Sequence, residues 1–89
     1  MLSLKYVMLR HRANGGCFPV LGVAPTTHRA LADAFPHARP ISAGFAEFTL
    51  EQVRTYGRSE SLGLAPSPDD AAHLTAFARA TFKTGPVPF

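Results

Sequence analysis

The sequence predicts an α+β domain built in the order β-β-α-β-β-α, with a mainly antiparallel four-stranded sheet and two helices on one face of it. Three observations predict this class. An Asn-Gly pair separates two apolar runs, a short helical pattern follows two threonines, and a Ser-Pro-Asp-Asp segment precedes a longer one. Because 89 residues is the size of one domain, we assign 1–84 to a single domain and 85–89 to an extended tail.

The first half of the chain predicts a hairpin and a helix. Residues 4–11 are rich in strand formers, and Asn14-Gly15 favours a tight turn in which both residues adopt positive φ. The return strand, 17–23, contains Pro19, which indicates an edge position. Thr26 or Thr27 can cap a helix over 28–35, which ends before Pro36.

The second half repeats this pattern. Residues 41–48 and 53–62 predict two further strands joined by a turn near 49–52, and Gly44 within the first of them marks a close approach, a bulge or a twist. In the segment 67–70, Ser67 is a capping residue, Pro68 suits the first helical position, and two acids follow in the first turn. The last helix is therefore expected over about 68–82.

Composition limits the classes of protein. The chain is 46% hydrophobic and 17% charged, so it is not of the disordered class. It has no apolar run of the roughly 20 residues that a membrane helix needs, and its single cysteine, Cys17, fits the cytoplasm. A core of this size leaves only about 3–5 kcal/mol of net stability, which predicts support from a ligand or from a homo-oligomer.

The predicted fourth strand has two unlike faces, because side chains alternate along a strand. One face carries small side chains, and the other carries large and charged ones. Helices packing on the small face would explain this pattern structurally. Alternatively, the large face is a binding surface for a phosphate, a base or a protein hot spot. Its binding residues would be Arg54, Tyr56 and Arg58, with Ser59 as a hydrogen-bonding residue if its own face is exposed.

The start of the first helix is a second candidate for anion binding. A helix N-terminus offers unpaired N–H groups and a partial positive charge of about +0.5, and Thr27, His28 and Arg29 stand at this one. Simple capping by a threonine remains the alternative.

Catalytic and metal sites are not predicted. The four histidines show no i, i+4 pair and no neighbouring cysteine pair, so zinc is not expected. Ser59 lacks the second glycine of a nucleophile elbow, and Cys17 with His11 has no clear third partner. The sequence therefore predicts a protein that is not an enzyme, with no catalytic residue, no metal and no cofactor.

Three segments resemble those of a group of small uncharacterised proteins found in bacteriophage genomes and phage-like chromosomal regions. The matching segments are SAGF at 42–45, YGRSESLGL at 56–64 and SPDDA at 67–71. The resemblance covers most of the second half of the chain. It implies an accessory protein of a mobile element, which blocks a host defence protein or sequesters its nucleotide signal.

These observations lead to one expected function with two kinds of partner. We expect a cytoplasmic, non-enzymatic binding protein that counteracts host defence by sequestering an anionic ligand of nucleotide type. The alternative is an inhibitor that binds a host defence protein directly. A net charge of +3, with the basic residues scattered, makes a nucleic-acid partner a weaker expectation.

Overall fold

A computed structural model describes residues 2–81 of the chain. They form six elements in the predicted order β-β-α-β-β-α, and the α+β class is confirmed. The elements are β1 (Leu2–His11), β2 (Cys17–Gly22), α1 (His28–Asp33), β3 (Ala38–Phe48), β4 (Val53–Tyr56) and α2 (Asp70–Thr81). The predicted extended tail, 85–89, lies outside the described residues. No helix within 2–81 has the length and apolar character required to cross a bilayer.

The four strands form one sheet in the order β2-β1-β3-β4, and every neighbouring pair is antiparallel. The predicted edge position of β2 is confirmed, with Pro19 opposite Met8 of β1. β1 and β3 are the central strands, although they belong to different predicted hairpins. Helix α1 provides the connection from β2 across β1 to β3.

The two helices pack on opposite faces of this sheet, so the prediction of both on one face is wrong. Directly opposed residues of an antiparallel pair share a face. Val7 and its partner Ala43 pack with Leu31 of α1, whereas Phe48 and its partner on β4 pack with Leu74 of α2. We call these the α1 face and the α2 face.

The cause of this arrangement lies in the central strand β1. Tyr6, Val7, Met8 and Leu9 are consecutive and all at most 1% exposed. Because successive side chains point to opposite faces, four buried neighbours need cover on both sides of the sheet. One helix on each side meets that requirement.

The fourth strand is shorter than predicted. It ends at Tyr56, because Gly57 adopts a positive φ of 69° and bends the chain away. Residues 57–64 then form a small loop closed by an antiparallel bridge between Ser59 and Leu64. The predicted alternation of faces therefore holds only for Val53–Tyr56.

Element ends differ from the predictions by a few residues. Helix α1 ends at Asp33 instead of 35, and β3 begins at Ala38 instead of 41. The first hairpin is confirmed, but its connection spans residues 12–16. Only Gly15 there has positive φ, and Asn14 does not. Asn14 instead uses its side chain to accept the N–H of Gly16 at 2.8 Å.

Helix α2 begins at Asp70, whose carboxylate is buried between the helix and the sheet. It accepts hydrogen bonds from the Tyr6 hydroxyl at 2.6 Å, the Ser42 hydroxyl at 3.0 Å and the Ser67 backbone N–H at 2.9 Å. At the predicted helix start, Ser67 and Asp70 are joined by two hydrogen bonds, because the Ser67 carbonyl oxygen also accepts the Asp70 N–H at 3.1 Å. Burial, together with the hydrogen bond to Asp70, raises the pKa of Tyr6 well above its usual value.

This raised pKa predicts a loss of stability in alkali. Above pH about 10 the unfolded chain releases the Tyr6 proton while the folded chain retains it, so the contribution of Tyr6 is complete below pH 10 and falls as pH rises further. In urea denaturation, Tyr6→Phe should be less stable than the parent at pH 8, and this difference should shrink by pH 11. A constant difference across that range would contradict the assignment, since every other titrating group is common to both chains.

Candidate functional site

Three aromatic rings form a row on the α1 face. Tyr56 of β4 and Phe45 of β3 are cross-strand partners and stack with ring centroids 5.5 Å apart and an interplanar angle of 22°. The imidazole of His28 meets Phe45 edge-on at 5.3 Å and 89°. The row thus extends from the start of α1 to the edge strand, where Tyr56 is 43% exposed.

His28 is the buried end of this row. Its Nε2 lies 2.7 Å from the carbonyl oxygen of Gly44, and because a carbonyl only accepts, Nε2 carries the hydrogen. In the neutral imidazole the lone pair is therefore on Nδ1. This contact fixes the ring orientation beside Phe45.

A shallow cavity of about 240 Å³ lies beside the aromatic row. Side chains from β1, α1, β3 and the 57–64 loop surround it. Its lining residues are Lys5, Thr27, His28, Phe45, Arg58, Glu60 and Ser61. We call this the β1–α1 cavity. It brings together three of the predicted binding residues with four that were not predicted.

The charges at the β1–α1 cavity are mainly positive. Lys5 Nζ donates to the carbonyl oxygen of Thr26 at 2.9 Å, and an ammonium group has two further N–H donors. Arg58 Nε is 4.0 Å from Glu60, with side chains 57% and 89% exposed. Such a surface pair is weak, so the guanidinium keeps most of its capacity to bind an anion.

Gly57 allows the backbone to bend at the end of β4, close to the Phe45 ring. A Cβ atom at this position would lie 2.8 Å from Cδ2 of Phe45, and the backbone there has positive φ. The absent side chain lets the loop turn directly beneath the Phe45 ring. As a result, Arg58 and Glu60 lie on the α1 face beside His28 and Phe45, and they do not continue β4.

The first turn of α1 uses its polar groups internally. The Thr27 hydroxyl caps the helix by accepting the Ala30 N–H at 3.1 Å. Arg29 donates its backbone N–H to the Ser61 hydroxyl at 3.2 Å and Nη2 to the Ser61 carbonyl at 3.1 Å. These contacts fit the capping interpretation, and they hold the 57–64 loop against α1.

The other predicted residues lie outside the β1–α1 cavity. Ser59 is fully buried, and its hydroxyl accepts the Leu62 N–H at 3.1 Å, which stabilises the loop. Arg54 is exposed on β4, opposite Glu47 of β3, on the same face as Tyr56. Arg29 lines a neighbouring cavity instead.

Lys5 and Phe45 are the most important residues that sequence reasoning missed. They are directly paired partners on β1 and β3, and nothing local in the sequence shows that these strands are neighbours. The glycine before Phe45 was a partial signal, since it indicated a close approach, a bulge or a twist at this point of β3.

The described part of the chain has one cysteine thiol and no cluster of metal-ligating side chains. Residues 2–81 contain no group of three or more His, Cys, Asp or Glu side chains that could hold a metal ion. Cys17 is a free, exposed thiol at the start of β2. The arrangement at the β1–α1 cavity is instead one of stacking surfaces and hydrogen-bond donors.

Comparison with known proteins gives no further identification. No family model matches the chain, and neither the curated proteins nor the solved structures include a significant match.

Proposed function

We propose that this chain is a non-enzymatic binding protein for a small anionic ligand of nucleotide type. The observation that supports it best is the aromatic row bordered by Lys5 and Arg58. Nucleotides combine a planar ring with a phosphate, and these two groups need a stacking surface and cationic donors. The β1–α1 cavity and the adjoining Tyr56 offer both.

The size of the cavity determines how such a ligand would bind. Pockets that enclose a drug-sized ligand usually exceed about 300 Å³, and the β1–α1 cavity has about 240 Å³. It can therefore hold one part of a nucleotide, while the rest lies over the exposed ring of Tyr56. Stacking of a base on an aromatic side chain contributes about 1–3 kcal/mol.

In this binding mode the phosphate lies toward the cations. Lys5 has two ammonium donors beyond its bond to Thr26, and Arg58 has guanidinium donors beyond its contact with Glu60. Glu60 disfavours a second phosphate close to Arg58 through charge repulsion. We therefore place the principal phosphate contact at Lys5.

The biological setting of this proposal comes from the resemblance to phage and prophage proteins. A cytoplasmic protein of a mobile element that sequesters a nucleotide signal would counteract a host defence that uses the signal. Direct inhibition of a host defence protein is the alternative. The same exposed Tyr56 and Arg58 are of residue types that dominate protein interfaces, and the marginal core favours a homo-oligomer.

A thermal-shift panel of linear and cyclic nucleotides tests the ligand. A ligand at 100 times its Kd stabilises the folded state by about 2.7 kcal/mol, so at least one nucleotide should raise Tm clearly. Lys5→Met should reduce that shift strongly by removing the phosphate contact. Arg39→Met is the matched control, since it removes one positive charge from an exposed position outside the cavity.

The proposal fails if no nucleotide raises Tm at the highest concentrations used. It also fails at this site if Lys5→Met and Arg39→Met reduce the shift equally, because binding would then depend only on net charge. The chain has no Trp and two Tyr, so nucleotide retained during purification would be visible in its ultraviolet spectrum.

A further inference from the structure

A second cavity lies at the other end of α1, beside the loop of the first hairpin. Its volume is about 310 Å³, within the usual range for small-ligand sites. Ala32 and Ala38 are buried residues in its lining, while Phe35 is 40% exposed and Leu62 is half-buried against the core. This cavity, which we call the α1–hairpin cavity, therefore has apolar side chains in part of its lining.

Charges of both signs line the same space. Arg12 comes from the hairpin loop, and Arg29 and Asp33 stand four residues apart on α1. Opposite charges at that spacing commonly pair on a helix, yet these two do not. Arg29 directs Nη2 to the carbonyl of Ser61 at 3.1 Å, and the ion pair found within residues 2–81 is Arg58 with Glu60.

The absence of this pairing leaves Asp33 without a cationic partner among the described residues. Arg29 has four guanidinium N–H donors beyond the one used at Ser61. A purely anionic ligand in this cavity would face the Asp33 carboxylate, and a purely cationic one would face two guanidinium groups. A ligand with both charges and an apolar body matches all three charged groups and the apolar part of the lining.

We propose that the α1–hairpin cavity binds a free α-amino acid with an apolar side chain. Its carboxylate accepts hydrogen bonds from Arg12 and Arg29, and its ammonium group donates to Asp33. Its side chain packs against Phe35 and Leu62. This site is separate from the β1–α1 cavity and does not depend on nucleotide binding.

Calorimetric titration with three related compounds tests this assignment. Leucine carries both charges, N-acetylleucine lacks the ammonium group, and leucinamide lacks the carboxylate. Because a hydrogen bond to a charged group contributes about 1.5–3 kcal/mol, each analogue should bind at least about tenfold more weakly than leucine. Asp33→Asn should abolish the discrimination against N-acetylleucine and keep that against leucinamide.

Asp69→Asn serves as the matched control, because it alters an exposed aspartate just before α2 that does not line the cavity. It should leave all three affinities unchanged. The assignment is overturned if leucine shows no binding up to its solubility limit. It is equally overturned if the three compounds bind alike, or if Asp33→Asn and Asp69→Asn have the same effect while both variants retain the parent circular dichroism spectrum.

Discussion

Replacing Asp70 with alanine should lower the free energy of unfolding by about 3 kcal/mol, which is most of the stability expected of a chain this short. The carboxylate is 2% exposed and accepts three hydrogen bonds. Alanine would leave the buried hydroxyls of Tyr6 and Ser42, and the N–H of the half-buried Ser67, without their acceptor. Each unsatisfied buried group costs about 1–3 kcal/mol.

The measurement is urea denaturation of the parent, Asp70→Ala and the control Asp69→Ala. Asp69 is the exposed neighbour of Asp70. Asp69→Ala also removes one negative charge and adds one alanine, but it leaves the buried hydrogen bonds of Asp70 intact. A loss below about 1 kcal/mol for Asp70→Ala would show that the network adds little beyond ordinary surface effects. Equal losses for both variants would point to charge at the helix start as the whole cause.

The second large effect is expected at Gly44, in the middle of β3. A Cβ atom there would lie 2.7 Å from Cγ of Pro66 and 2.9 Å from the backbone oxygen of Tyr56. The second of these atoms belongs to the neighbouring chain segment and cannot rotate away. Gly44→Ala should therefore destabilise the fold by about 2–3 kcal/mol, in the range of overpacked cores.

Gly16→Ala provides the comparison for Gly44→Ala. At Gly16 the added carbon would meet the exposed Asn14 side chain at 3.1 Å, which can move, and the backbone φ is not positive. We expect a change within about 0.5 kcal/mol. If Gly44→Ala lowered stability as little as Gly16→Ala in thermal denaturation, β3 would be less closely packed against Pro66 and Tyr56 than the 2.7 Å and 2.9 Å distances indicate.

Local signals in the sequence predicted a large part of the fold. Asn14-Gly15 predicted the first hairpin, Thr26 or Thr27 predicted the start of α1, and Pro19 predicted the edge position of β2. Gly44 was expected to mark a close approach, a bulge or a twist, and the short distances from a Cβ placed there to Pro66 and Tyr56 favour the first of these. The hairpin, the helix cap and the proline are local signals, because each depends on the backbone conformation or the N–H group of the residue itself.

Non-local features were not predictable in the same way. The opposite placement of the helices follows from burial of Tyr6–Leu9 on both faces, which a short apolar run does not distinguish from burial on one. The end of β4 depends on the φ of Gly57, and that residue was read as continuing the strand. Asp70 was identified as a helix-start acid, but its partner Tyr6 is 64 residues away.

In the candidate site, too, the residues with local signals were predicted and those brought in by distant pairing were not. Tyr56, Arg58, His28 and Thr27 were expected from the patterns of their own segments, and three of them line the β1–α1 cavity. Lys5 enters the site only because β1 pairs with β3. Ser59 was predicted to lie on a strand, but the chain bends at Gly57 and Ser59 is buried in the 57–64 loop. It is therefore not part of the site.

The proposed function depends on binding of a nucleotide-type anion by the aromatic row with Lys5 and Arg58. Its most direct test is a nuclear magnetic resonance titration of the labelled chain with the nucleotide that gives the largest thermal shift. We expect saturable shifts concentrated at Lys5, His28, Phe45, Tyr56 and Arg58, with little change near Phe18 and Phe35. Saturable shifts confined to another part of the chain, or no shifts with any nucleotide, would contradict it.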